Sequence, residues 1–200
     1  MKRNIFVLVA FVLLALSLSA CSSKEARHMQ YDDNGIYAGF SDIPDHYTAA
    51  DAASDGCLVI DTTLKPNEYG VDITDQQKTY GYEQWQRFLE KSEAGENAFL
   101  RVAHFIDGVG YYRDLYYCDG KYTIFDYNEY GISESESFQY LRRLEGKTGP
   151  ASDPRDDCYY VLTDSMELTY RDVSWSFLSS DFSTVTDIPF VWLTFMIYFE

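Results

Sequence analysis

YYRDLYYCDGKYTIFDY, residues 111–127, decides the fold. Asp119-Gly120 at its centre is a type I′ hairpin signal, because both central residues of that turn need positive φ, and Asp and Gly tolerate it. With those two residues as the loop, Cys118 faces Lys121 and every outward pair follows, since a one-residue slip would move each side chain to the other face. One face then carries Tyr117 with Tyr122, Leu115 with Ile124, and Arg113 with Asp126. That is an apolar patch closed by a cross-strand ion pair, and it is the expected core face. The opposite face carries Tyr116 with Thr123, Asp114 with Phe125, and Tyr112 with Tyr127, aromatics with polar edges that are expected to see solvent or a covering helix.

Tyrosine combines a large contact area with a hydrogen-bonding tip, so Tyr112, Tyr116 and Tyr127 are the candidate ligand-binding residues, for a sugar ring or a protein partner. The plainer reading is that Tyr is a good strand former on a half-buried sheet.

Working outward, AFLRVAHFI (98–106) is apolar on both faces and reads as a central strand. His104 shares a face with Leu100, Val102 and Ile106, and no second histidine, cysteine or serine motif lies near it in sequence to make a dyad, so it reads as a core or rim residue rather than a base. Upstream, Tyr82, Trp85, Phe88 and Leu89 recur at helical spacing and predict a helix over about 82–94 with those residues buried, Glu83 and Arg87 paired outside the stripe, and Gly95 as its stop. Thr48 and Asp51 form a capping box that starts a short helix over 49–55, closed by Gly56. Cys57-Leu-Val-Ile-Asp61 reads as a buried strand, followed by a polar loop through Asp75-Gln76-Gln77-Lys78.

Downstream, FQYLRRL (138–144) fits either period and is read as a strand, with EGKTGPASDPRDD as a loop and CYYVLT (158–163) as the next strand. Thr169 and Asp172 open a last helix with Val173, Phe177 and Leu178 as its buried stripe. FVWLTFMIYF (190–199), ten residues after Pro189 that are apolar except for Thr194, is too short to span a bilayer as a helix. It reads as a buried C-terminal strand, with a second membrane or partner contact as the alternative. The helices cluster before and after a run of strands whose connections look too tight for crossover helices. The expected fold is therefore α+β, a mainly antiparallel meander of about five to six strands with two to three short helices packed on one face.

The N-terminus says where the chain resides. Lys2 and Arg3 precede Ile5 to Leu18, fourteen residues interrupted by Ser17 alone. A positive start, an apolar run of that length and small residues after it are the parts of a secretory signal, whereas a spanning helix needs about 20 apolar residues. Leu18-Ser19-Ala20-Cys21 resembles the lipobox of bacterial prolipoproteins at every position. The resemblance implies that Cys21 receives a diacylglyceryl group and becomes the first residue of the mature chain, anchored by two acyl chains on the extracytoplasmic face of a cell membrane. An uncleaved signal anchor is the alternative. Residues 1–20 are then signal peptide, 21–45 a polar tether, and 46–200 one globular domain.

Loss of residues 1–20 removes Lys2 and Arg3 and no acid, so the 16 basic residues become 14 against 32 acidic ones, a net charge of −18. Such a chain repels nucleic acid and anionic surfaces, and the charge suits an exposed, soluble domain. With 46% hydrophobic residues, 18 Tyr and 13 Phe, it can build a packed core.

Lipidation of Cys21 leaves Cys57, Cys118 and Cys158. One bridge with a free thiol and three separate thiols are equally compatible with the sequence. No CxxC or Cys/His spacing suggests a metal, and Asp32, Asp33, Asn34 and Gly35 depart from a calcium loop because Gln30 and Ser41 stand where its first and last acidic ligands belong. No nucleophile elbow, phosphate loop, cofactor motif or convincing acid pair is present, which favours a non-catalytic binding or interaction domain over an accessory subunit of an envelope complex, and both over a hydrolytic enzyme.

The order lipobox, DGCLVID after a small helix, a Trp-Gln-Arg-Phe-Leu helix, FLRVAHF and an aromatic strand pair around a DG turn resembles a group of small lipoproteins of uncharacterised function in Gram-positive bacteria. That resemblance implies a compact α+β domain at the cell surface and brings no functional residues with it.

Overall fold

The computed structural model describes residues 29–128, 130–134, 137–178 and 186–198. The fold is α+β, with a six-stranded main sheet ordered β2 (Asp72–Tyr80), β1 (Leu58–Pro66), β3 (Ala98–Ile106), β4 (Val109–Cys118), β5 (Lys121–Asn128), β6 (Gly131–Glu134) and a second sheet ordered β7 (Tyr140–Thr148), β8 (Arg155–Thr163), β9 (Phe190–Trp192). The 111–127 stretch forms β4 (Val109–Cys118) and β5 (Lys121–Asn128), and every pair from Tyr112 with Tyr127 to Cys118 with Lys121 stands in the expected register. Asp119 and Gly120 take φ of 51° and 78°, the conformation that the tight turn demands.

Helix α1 (Ala49–Ser54) starts at the Thr48/Asp51 capping box. β1 (Leu58–Pro66) and β2 (Asp72–Tyr80) form a hairpin where a polar loop was expected. β2 is exposed along its whole length, so its sequence carries no apolar alternation to announce a strand. Helix α2 (Tyr82–Glu93) then carries the chain across to β3 (Ala98–Ile106), which lies parallel to β1. The sheet is mainly antiparallel as expected, but this one crossover corrects the expectation that its connections are too tight for a crossover helix. Gly81, with φ 80°, permits the handover, since a Cβ there would stand 2.4 Å from the Cys57 carbonyl oxygen.

The helices also occupy both faces of the main sheet rather than one. Trp85 and Phe88 of α2 pack on Leu58, Ile60, Leu100, Val102, Leu115 and Ile124, whereas Ala52 of α1 packs on the opposite face with Val59, Ala103 and Phe105. β6 (Gly131–Glu134) completes the main sheet.

The second sheet closes over the α2 side. Phe138 forms a bridge to Tyr122 and leads into β7 (Tyr140–Thr148), paired with β8 (Arg155–Thr163), so most of the expected 145–157 loop is strand. Tyr160 and Leu162 point into the core beneath α2. Helix α3 (Tyr170–Leu178) covers the far face, with Thr169 and Asp172 exchanging hydrogen bonds at its start and Val173 buried against Leu144 and Val161. Phe177, expected in the buried stripe, is 52% exposed.

The apolar tail is strand for three residues only, β9 (Phe190–Trp192), and then turns as a 3-10 helix (Thr194–Tyr198). That turn sends Phe195 and Met196 into the main core, where Phe195 meets the Trp85 ring edge-on at 5.9 Å. Among the described residues no helix is long and apolar enough to cross a membrane.

Candidate functional site

The tyrosine face, expected to meet solvent or a covering helix, is largely covered by another part of the chain. Tyr112 and Tyr116 are only 8% and 3% exposed, and of the three candidates only Tyr127, at 40%, reaches solvent. What covers them is chain expected to be tether. Residues 29–43 lie across β4 and β5 as a strap. Tyr37 stacks on Phe125 with ring centroids 3.8 Å apart, and Phe40 stacks on Tyr127 at 5.5 Å. A turn stiffens the strap: the Asp32 carboxylate accepts the N–H groups of Asn34 and Ile36, each at 2.8 Å, which spends it on its own backbone rather than on a cation. Among the described residues no group of three or more His, Cys, Asp or Glu could hold a metal ion. Cys21 lies outside the described residues.

Beneath the strap sits a buried charge network. Arg101 and Asp114, 7% and 0% exposed, face each other across β3 and β4. The guanidinium donates to both carboxylate oxygens at 2.7 Å, the bidentate geometry in which Arg and a carboxylate bind most strongly. Arg101 also donates to Asp42 at 2.8 Å and to the Gly39 carbonyl at 2.6 Å, both in the strap. Tyr37 donates to Asp114 at 2.6 Å and lies 3.0 Å from the Tyr116 hydroxyl. Burial works against the guanidinium charge, and the Asp114 and Asp42 carboxylates outweigh it, so the Arg101 pKa rises. Burial, then Asp114, push the Tyr37 pKa far above the usual tyrosine range, leaving the hydroxyl a fixed donor. A charged residue inside the two-sided apolar run AFLRVAHFI was the signal for this network, because a buried arginine requires a buried acid.

Arg101 also closes one side of a cleft of about 320 Å³. The cleft opens at the start of the parallel pair β1 and β3. Asp42 lines it from the strap, Tyr47 from just before α1, Asp55 and Cys57 from just after α1, and Gln84, Arg87, Phe88 and Lys91 from α2. Asp55 accepts the Tyr47 hydroxyl at 2.8 Å, and Arg87 donates to Gln84 at 3.2 Å. Burial pushes the Cys57 thiol up further than Arg101 and the Tyr47 hydroxyl lower it, which makes it a poor nucleophile. No disulfide joins Cys57, Cys118 and Cys158 to one another.

His104 lines a different, smaller cleft of about 210 Å³ with Arg113, Asp126, Tyr127 and Thr194. Its Nε2 lies 3.2 Å from the Thr62 hydroxyl, burial lowers its pKa, and Asp126 is committed to Arg113 at 2.5 Å.

Comparison with family models, curated proteins and solved structures found no match for the chain.

Proposed function

We propose that this chain is a lipid-anchored protein of the extracytoplasmic face of a bacterial membrane, and that its domain binds a small ligand without transforming it. The location rests on the lipobox resemblance at Leu18-Ser19-Ala20-Cys21. The binding role rests on one observation, the cleft beside α2, closed on one side by Arg101, which Asp114 holds in place, and carrying charged groups from three separate elements. Concave sites with a few converging polar groups on rigid supports are where small ligands bind.

The test is a thermal-shift screen of the full chain in detergent against small polar metabolites. A ligand present at about 100 times its dissociation constant stabilises by about 2.7 kcal/mol, which for a domain of this size raises Tm by about 5–11 °C. The shift should vanish in Ser54→Trp, which fills the cleft from the last residue of α1. If no compound shifts the parent, or if the shift survives in Ser54→Trp, the binding reading is wrong.

A separate observation favours the accessory-subunit reading. Trp175 and Phe177 are 40% and 52% exposed on α3, and Phe177 lies against the Trp192 ring at 4.7 Å. Under this reading, Trp175→Ser with Phe177→Ser releases a stoichiometric partner that otherwise co-purifies with the chain from solubilised membranes.

A further inference from the structure

The two walls of the cleft carry opposite charge. On one side stand Asp42, from the strap, and Asp55, which ends α1; both belong to the layer packed on the Val59 and Ala103 face of the sheet. On the other side stand Arg87 and Lys91, one turn apart on α2, which packs on the opposite face. Residues four apart on a helix project together, so both cations reach the same part of the cleft. They are 2 of only 14 basic residues outside the signal segment, in a chain whose surface otherwise repels anions. Phe99 and Leu100 line the cleft between the walls, giving an apolar surface flanked by the two charge signs.

We infer that this cleft takes a ligand bearing an ammonium and a carboxylate at its two ends, a free amino acid or a short peptide. The inference rests on the binding reading above and names the ligand class of that site. The ligand carboxylate meets Arg87 and Lys91. Its ammonium donates to Asp42, which also accepts from Arg101, and to Asp55, which also accepts from Tyr47. A carboxylate offers about four acceptor positions, so the new donor joins the existing ones instead of displacing them. The side chain of the ligand rests on the apolar surface. A cleft of about 320 Å³ stands at the small end of the range for ligand sites, roughly 300–1,000 Å³, which suits one or two residues rather than a polymer. A purely anionic ligand would be repelled by Asp42 and Asp55, and a purely cationic one by Arg87 and Lys91, so the site selects by requiring both charges.

The experiment is calorimetric titration of the full chain in detergent with five probes at about 1 mM: leucine, the dipeptide Ala-Leu, N-acetyl-Ala-Leu, Ala-Leu amide, and the doubly blocked peptide. Leucine, Ala-Leu or both should bind, and which of them binds identifies the source as amino acid or peptide. Blocking either end should weaken binding at least about tenfold, since each removes a charge-assisted contact. Arg87→Gln with Lys91→Gln, both on a helix surface and checked for an unchanged Tm, should bind Ala-Leu no better than its amide.

The inference is overturned if a singly blocked peptide binds as tightly as Ala-Leu, if the double variant binds like the parent, or if neither leucine nor Ala-Leu binds. Should a different compound still give a Tm shift that Ser54→Trp abolishes, the binding reading stands while the zwitterion assignment falls. With no such compound, both fall.

Discussion

Arg101 and Asp114 show how a residue pair ties the chain's beginning to its centre. Both charges are out of water, and the pair repays that desolvation through two parallel hydrogen bonds and the donors added by the strap. Removing one partner strands the other, so Asp114→Asn should cost about 3 kcal/mol in urea unfolding. Tyr37→Phe deletes one bond to a buried charge and should cost about 2 kcal/mol. Asp42, whose side chain is 48% exposed, should cost less than about 1 kcal/mol as Asn. A different order of the three would mean that the network does not hold the strap.

His104 gives a pH-dependent counterpart. Burial lowers its folded pKa below the ordinary 6.5 of the unfolded chain. On acidification the unfolded state therefore takes up the proton first, and stability is lost as pH falls through the ordinary histidine range towards the lowered folded value. Unfolding of the parent and of His104→Gln at about pH 7.5 and about pH 5.5 measures this against the carboxylate background, which the two share. The parent should lose more stability than the variant; equal losses would exclude the effect.

Among elements, the strap matters most. A chain beginning at residue 29 keeps Tyr37, Gly39 and Asp42 over the sheet and should fold as the parent does. A chain beginning at residue 45 uncovers Phe125 and Tyr116 and wets the Arg101–Asp114 pair, so it should aggregate or fall to protease at temperatures where the longer chain survives. Equal behaviour would return residues 29–43 to the status of tether.

The strap escaped sequence reading because Tyr37 and Phe40 are two aromatics in a polar, aperiodic stretch, with nothing local to say what they cover. β2 escaped for the complementary reason, since an edge strand exposed on both faces has no hydrophobic period. α1, α2 and the β4–β5 hairpin were legible because a capping box, a helical stripe and an Asp-Gly turn are each complete within about a dozen residues. The cleft was not legible at all. Its walls come from residues 42, 55, 87 and 91, which become neighbours only when α1 and α2 pack at the same end of β1 and β3.

At the scale of the whole molecule, the strap and α1, the main sheet, the second sheet with α2, and α3 form successive layers. Met29 already packs against the cluster under the strap, and it stands eight residues after a lipidated Cys21. Eight residues at about 3.5 Å each reach no further than about 28 Å, so the anchor would hold the domain close to the bilayer instead of on a long tether. Cys21→Ser should move the protein from the membrane fraction to the soluble fraction, or stall it unprocessed. A variant that is still cleaved at the same site and still membrane-bound would refute lipid anchoring.

The sequence by itself determined the α+β class, the α1 and α2 helices and the register of the 111–127 hairpin, because each is written in contacts between near neighbours along the chain. The prolipoprotein signal is equally local and stands as an expectation on the same residues. Only the tertiary structure decided that β1 and β3 run parallel, that the tyrosine face is closed by the chain's own N-terminal segment, and that acids and bases from distant segments confront each other across one cleft. Those features depend on which faces find cover, and burial of apolar surface is non-directional and blind to sequence separation.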